Sequence, residues 1–573
     1  MPEAIREEGS HALGHLEQGA PLSPPKVLAN PSALGTLVLK EVHDLVLTLR
    51  FSVGTALTLI LAVLAAYIGS LDYNARLDSY QTKLKLNREQ VTQTGVYSFL
   101  QPTLVRPPEP LSILNHGLEG RLGTDINISL DEEQTEAQGE NRGNEYLSVF
   151  SALDLTVIVA VILGLLALLF TFDLVSGERE AGTLKLMISF SLPRSEVLLG
   201  KYLGAWVTLM LPTAMACILS LLVVGFVAHA HFAAPEIVRL GLLFLTDAVY
   251  LSLMLLVGLL ISSFMQRSSV ALVFATFIWF FFVAIVPNLA TMLPDFVGKR
   301  AEVFDAANER LAQVDKEEEA AGKQLKDLRD FDEKKAPLFL YHYAINNNND
   351  GRLAHECHFG DAKFYDLLSQ YFSQAIPLTM KLAAKRADIW REYLRYRDRQ
   401  TGWARTLAFL SPTAVFENLA KYVSGTSEAD YNHFLGLAAQ CRNTFIGYLQ
   451  TKGTFNSWRW FTTDPDDGDP PWTILATGKT PDEMEATGQD PQTVINTWSK
   501  DKDKWQKFIQ MELDRDKNTS RYLSLRDLPA FTYLRLSAGA VLVAAAPEIA
   551  FLLGLNLILF LVAYVRFIRY DVR

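Results

Sequence analysis

The stretch from Phe51 to Ser70, FSVGTALTLILAVLAAYIGS, contains no charged residue. As a helix rising 1.5 Å per residue it covers about 30 Å, the thickness of a bilayer's hydrocarbon core. Five more apolar runs follow, at about 153–172, 202–228, 240–262, 269–293 and 547–566. Backbone in lipid must satisfy its own hydrogen bonds, which an α-helix does within one segment. The pattern predicts an α-helical polytopic membrane protein with six transmembrane helices.

Composition agrees. The 573 residues are 49% hydrophobic and 20% charged, with a mean hydropathy of +0.13. Apolar residues concentrated into runs exclude an ordinary soluble enzyme. Three cysteines are too few for a secreted disulfide scaffold, and a formal charge of −10 gives no global attraction for nucleic acid.

Six spans put both termini on one side. The basic residues of 35–50, 173–201, 262–268 and 567–573 mark that side as inside, Arg569 and Arg573 of the tail most clearly. Residues 1–34, polar and proline-bearing, read as a disordered tail. In 35–50, Val38, Val42, Leu45, Val46 and Leu49 form one helical stripe, with Lys40, Glu41, His43, Asp44 and Thr48 opposite. That is an N-terminal interfacial elbow helix.

Two long segments then lie outside. The first, 71–152, opens as a continuation of the first span's helix and turns to strand and turn signals around RPPEPLSILNHG and INISL, a small mixed α/β insertion. The second, 294–546, is large and mainly helical. Its Phe304, Ala307, Leu311, Val314, Glu318, Ala321, Leu325 and Leu328 recur at heptad spacing, predicting a stalk packed on another helix. A further helix is expected over about 361–400; its alternating charges at WREYLRYRDRQ read as a solvated face rather than a nucleic-acid surface. LSAGAVLVAAA, just before the last span, reads as an interfacial segment, with a longer tilted final helix as the alternative.

His342, His355, Cys357 and His358 carry metal-binding donor types, but their spacing matches no common zinc pattern. The run Asp464-Pro-Asp466-Asp467-Gly468-Asp469 has Asp469 where a calcium loop needs glycine. Neither a metal nor a catalytic set is expected. Cys357 and Cys441 form a candidate disulfide on the outer side, and Cys217 reads as a packing residue within a span.

The inner loop 173–201 reads FDLVSGEREAGTLKLMISFSLPRSEVLLGK from Phe172. Gly177 and Gly182 superficially suit a phosphate loop, but no lysine follows the second glycine and two glutamates lie inside. Thr183 can cap a short helix whose face carries Leu184, Met187 and Ile188, rimmed by Glu178, Arg179 and Glu180. Pro193 and Arg194 then open a helix that runs into the third span. These features fit a docking element for a soluble partner, and equally an ordinary connector.

FDLVSGEREAGTLKLMISFSLPRSEVLLGKYLG resembles the signature loop of ABC transporter permeases of the second exporter type (ABC-2). The elbow LVLKEVHDLVLTLRF, the turn SSFMQRSSVALVFATFIWF and the end FLVAYVRFIRYDVR resemble the same family. RPPEPLSILNHG and LSPTAVFENLAKYVSGT resemble its bacterial branch with large extracytoplasmic insertions. The resemblance implies that Glu178, Glu180, Gly182, Thr183, Pro193 and Arg194 belong to a coupling helix seated on a separate ATPase. It also implies a dimer through the first and fifth spans, with an identical or paralogous permease. ATP and magnesium would then be bound by the ATPase chains, with no cofactor on this one.

The expectation is therefore a permease subunit in a bacterial inner membrane, both termini cytoplasmic, coupling ATP hydrolysis to substrate movement. The alternatives are a mechanotransmission subunit acting on a periplasmic partner without cargo, and a membrane-anchored receptor or enzyme. Asp247, a charge inside the fourth span, is a candidate pathway residue by its cost in hydrocarbon, or else a hydrogen-bonded residue near the bundle's outer end.

Overall fold

The computed structural model describes residues 33–139, 153–183, 193–230, 232–297, 300–329, 343–347, 352–356, 362–460 and 522–569, with scattered positions between 486 and 506. Helix α1 (Ala33–Val46) is followed by α2 (Leu49–Thr92), whose first turn is capped by Thr48 accepting from the Phe51 amide. Helix α2 is 44 residues long, so it continues well past the first apolar run, as the sequence predicts. Strands β1 (Thr103–Val105) and β2 (Asp125–Asn127) pair antiparallel, Leu104 opposite Ile126.

Helix α3 comprises Leu155–Ile158, a π-helical turn Val159–Leu163, and Gly164–Thr171. Asp154 caps it, accepting from the Val157 amide at 2.8 Å and the His116 amide at 3.0 Å. The short α4 (Ser176–Glu180) follows, then α5 (Arg194–Val227) and α6 (Ala234–Phe264). Helix α7 comprises Ser268–Phe280, a π-helical turn Phe281–Ile285, and Val286–Val297.

Beyond it come α8 (Arg300–Arg329), the hairpin β3 (Tyr343–Asn347) and β4 (Arg352–Glu356), and the 47-residue α9 (Ala362–Ala408). Then follow α10 (Pro412–Ser424), α11 (Glu428–Thr451), α12 (Ala538–Ala544) and α13 (Ala546–Ile568). Six helical segments, centred on α2, α3, α5, α6, α7 and α13, are long and apolar enough to cross a membrane. The break at Ala545 makes α12 a separate segment rather than the start of a longer final helix.

Helices α3 and α6 form the centre. Leu163, Ala167 and Phe170 of α3 pack with Tyr250, Leu251 and Met254 of α6, all fully buried. Helices α2, α7 and α13 instead expose Ile60, Val273, Phe277 and Leu557. Apolar surface of this extent suits lipid or another subunit.

The two π-turns are satisfied from neighbours. Tyr250 Oη donates to the Ala160 carbonyl at 3.0 Å and Trp279 Nε1 to Val161 at 3.2 Å, both in the α3 turn. Ser411 Oγ donates at 2.6 Å to Phe282 in the α7 turn, while the same oxygen caps α10. A π-turn interrupts the regular i→i+4 ladder, and unmet carbonyls in hydrocarbon cost several kcal/mol, so these side chains repair it.

The expected stalk packs as predicted: Ala307 and Val314 of α8 are buried against Leu382, Ile389 and Tyr393 of α9. Glu318, a polar residue in that heptad, pairs with Arg386. Arg391 pairs with Glu133 and Arg397 with Glu136, so arginines of the basic, aromatic end of α9 join the two insertions. The sequence reading assigns 294–546 to the outer compartment, yet α10 packs into the bundle, its Thr413 hydroxyl 3.1 Å from Tyr250 near the middle of α6. His342, Cys357, His358 and Asp464–Asp469 lie outside the described residues. Among the described residues no cluster is placed to hold a metal ion.

Candidate coupling site on the loop face

The end of the bundle carrying α4 and the α6–α7 turn is the loop face; the opposite end is the insertion face. At the loop face α1 lies across α5. A Cβ on Gly200 would meet Leu37 Cβ at 2.9 Å, and one on Gly204 would meet Glu41 Cβ at 2.5 Å. Glycines four apart allow this approach, as in packed spans generally. It brings three charges together: Lys201 Nζ donates to Glu41 Oε1 of α1 at 2.8 Å and to Glu178 Oε1 of α4 at 2.6 Å. Lys201 is 3% exposed, so its charge depends on both carboxylates.

Helix α4 is fixed on its other side to the α6–α7 turn. Ser262 Oγ accepts from the Val175 and Ser176 amides at 3.0 Å each. Arg179 donates to the carbonyls of Met265 at 2.9 Å and Ser263 at 3.3 Å. Glu180 Oε2 accepts from the Ser268 amide at 3.1 Å and hydroxyl at 2.7 Å, at the first residue of α7. Gly182 ends the turn with φ +74°, left-handed backbone that glycine adopts without strain.

Thr183 donates to the Glu178 carbonyl at 3.3 Å, Pro193 is the cap of α5, and Arg194 donates to the Ile568 carbonyl of α13 at 2.7 Å. Leu184, Met187 and Ile188 lie outside the described residues. The structure thus brings Glu178, Arg179, Glu180 and Arg194 to one face. These contacts run within the subunit, to Lys201, the α6–α7 turn and Ile568, while the sequence reading gives the first three a place on a polar rim.

Residues 36–572 match the ABC-2 family transporter protein. The chain belongs to the ABC-2 transporter family. Over 136 residues it is 33% identical to a probable ABC transporter permease protein NosY of Pseudomonas aeruginosa, covering 22% of this chain and 47% of that one. Over 138 residues it is 30% identical to the protein of the same name from Stutzerimonas stutzeri, covering 23% and 48%. The chain spans about half the length of these curated relatives. This chain's sequence contains no P-loop of the G-x-x-x-x-G-K-[ST] form.

Sequence reasoning about this ABC-2 permease missed Lys201, Glu41 and Gly204. Two signals were available: the Gly200-x-x-x-Gly204 spacing, and a lone lysine where charge gives way to the third apolar run. Val38, Val42, Leu45 and Val46 of the expected elbow stripe are half-buried, while Glu41 and Leu49 depart from it. Leu37 and Leu45 pack on the bundle, Glu41 is buried between them, and Leu49 begins α2 exposed.

Asp247 lies well inside α6, 5% exposed, with Oδ1 lacking a hydrogen-bond partner. Cys441 is half-buried in α11. At the insertion face Arg535 pairs with Glu109 at 2.8 Å and with Glu236 of α6 at 3.3 Å. Burial pushes the Glu109 carboxyl up to about 7 against the pull of Arg535. Arg405 holds Glu548, at the start of α13, with bonds of 2.9 and 2.6 Å.

Proposed function

We propose that this ABC-2 permease is half of the membrane part of an ATP-driven exporter in a bacterial inner membrane. The loop face is cytoplasmic, the insertions lie outside, and 173–201 docks a separate ATPase that binds ATP and magnesium. A second permease, identical or paralogous, completes the membrane part; the exposed apolar faces of α2 and α7 suit that contact. The observation carrying the reading is the three-way Lys201 clamp, which ties the loop, the elbow and the third span into one body. With Arg179 and Glu180 anchoring the fourth and fifth spans, displacement of the loop by a closing ATPase dimer tilts several spans together. Such a motor can only shift the inward–outward equilibrium by its differential affinity for the two states.

The direct test is co-purification with the ATPase and its stimulated hydrolysis. Glu178→Lys should abolish stimulation; stimulation equal to wild type would overturn the docking role.

A mechanical reading, in which the insertions drive a periplasmic partner and nothing crosses, is supported by the half-buried ionic joints at the insertion face. Arg535 and Arg405 fix the insertions to α6 and α13, so tilting spans carry them along. Cargo flux into sealed vesicles separates the readings: hydrolysis with flux supports export, hydrolysis without flux the mechanical role.

A further inference from the structure

Beside the first span's extension is a cavity of about 90 Å3, lined by Arg76, Ser79, Tyr80 and Lys83 of α2 and by residues of 105–124, with Gly139. Four of its lining residues are basic, Arg76, Lys83, Arg106 and Arg121, against one acid, Glu119. A water needs about 10–15 Å3 of such space, so the cavity takes a group of several heavy atoms.

Its two buried arginines are incompletely satisfied. Arg76, 7% exposed, donates through Nε to Asp72 at 2.8 Å and through Nη2 to Ser112 at 2.9 Å. Its Nη1 lies 3.5 Å from Glu119 Oε1, an ion contact without hydrogen-bond geometry. Arg106, 2% exposed, donates through Nη2 to Glu119 Oε2 at 2.9 Å, and its Nε has no acceptor. Glu119 also accepts from the Glu109 amide at 3.1 Å. One carboxylate thus serves two guanidinium groups and a backbone amide.

A buried cationic donor without an acceptor is costly, and two lining one cavity are rare in native interiors. Guanidinium N–H groups match the paired oxygens of phosphate or carboxylate. We infer that this cavity binds an oxyanion, a phosphate or carboxylate group, held by Arg76 and Arg106 with Arg121 contributing charge at its mouth; Lys83, 2.6 Å from Asp125, is already paired.

Position favours a water-borne ligand. Arg76 and Lys83 lie about 9 and 20 Å along the helix beyond Ser70, where the apolar run ends. A headgroup layer adds only about 5–8 Å per leaflet. The compartment that supplies the ligand follows from the orientation proposed above; the site itself does not. Occupancy braces α2 against the first insertion, since both contribute its arginines.

The test titrates inorganic phosphate and succinate into the full-length chain, in discs of phosphatidylcholine, by calorimetry and thermal shift. At least one probe should bind saturably, and Arg121→Glu, an exposed change at the mouth, should weaken it at least tenfold. Arg106→Gln should abolish binding; if it fails to fold, Arg121→Glu still decides. No saturable binding, meaning that ordered water satisfies the arginines, would overturn the inference. So would wild-type affinity in Arg121→Glu. Loss of phosphate binding in discs containing phosphatidylglycerol would make the occupant a lipid headgroup and overturn the water-borne assignment.

Discussion

Lys201 donates to Glu178 at 2.6 Å across the gap between the third span and the loop that precedes it. Its second bond, to Glu41, joins the elbow to the same ammonium. One cation therefore holds two carboxylates that would otherwise repel each other. Lys201→Met should destabilise by about 3 kcal/mol or more, because removing one partner strands buried charge. Lys201→Met with Glu41→Gln and Glu178→Gln should recover much of that stability but not ATPase stimulation. Thermal unfolding and hydrolysis assays on the two variants check both halves; recovery of stimulation in the triple variant would reduce the clamp to a structural role.

Gly182 ends the α4 turn at φ +74°, and among the described residues other than its chain neighbours no atom lies within 4 Å of where a Cβ would stand. A side chain there meets no clash, so the effect of substitution is confined to the backbone. Gly182→Ala should cost the turn about 1–2 kcal/mol and lower stimulated hydrolysis. Gly182→Asn should be milder, since asparagine tolerates the left-handed region. Equal effects of the two would point to a contact with the ATPase rather than to backbone geometry.

Glu180 accepts both the amide and the hydroxyl of Ser268, so the loop is bonded to the start of the fifth span. Glu180→Ala should leave co-purification with the ATPase intact and reduce stimulated hydrolysis, because the loop docks but no longer leads α7. Disulfide trapping between cysteines placed at 181 and 267 should slow in that variant. Unchanged trapping would show that Arg179 alone holds the turn.

The spans were legible because about 20 uncharged residues leave a chain few options. The stalk was legible because Ala307 and Val314 keep a seven-residue period. What the sequence withheld are relationships between distant segments. Glu41 lies on the polar side of a local helix pattern, and only the close approach at Gly204 turns it inward to Lys201. The GERE charges read as a polar rim, because periodicity cannot reveal acceptors within the subunit such as the Met265 carbonyl. Insertion of α10 was hidden for the same reason. Its partner is a π-turn carbonyl of Phe282, and a π-turn has no sequence period of its own.

Asp247 offers a separable test of the pathway. Among the described residues its Oδ1 has no hydrogen-bond partner at 5% exposure, so that oxygen is buried without compensation. Asp247→Asn should match or exceed wild-type thermal stability while lowering cargo flux per ATP. A fall in stability with normal flux would assign Asp247 to structure instead.

The insertion face should respond to pH through Glu109. Its carboxyl titrates at about 7 in the fold against 4.5 ordinarily, because burial outweighs the help of Arg535 and Arg239, and Glu119 adds like charge. Between those values the folded chain holds a proton that the unfolded chain has lost. The associated stability is therefore complete below about pH 4.5 and disappears as pH rises through 7, with a ceiling of about 3 kcal/mol. Wild type should accordingly lose thermal stability between pH 5.5 and 8, and Glu109→Gln, which cannot ionise, should lose less. Because Arg535 keeps Glu236 as a partner in that variant, its stability at pH 8 should equal or exceed wild type. Scanning fluorimetry across the range reads the slope directly. A slope unaltered by Glu109→Gln would mean that the Glu109–Arg535 pair stays ionised throughout and that the linkage resides elsewhere.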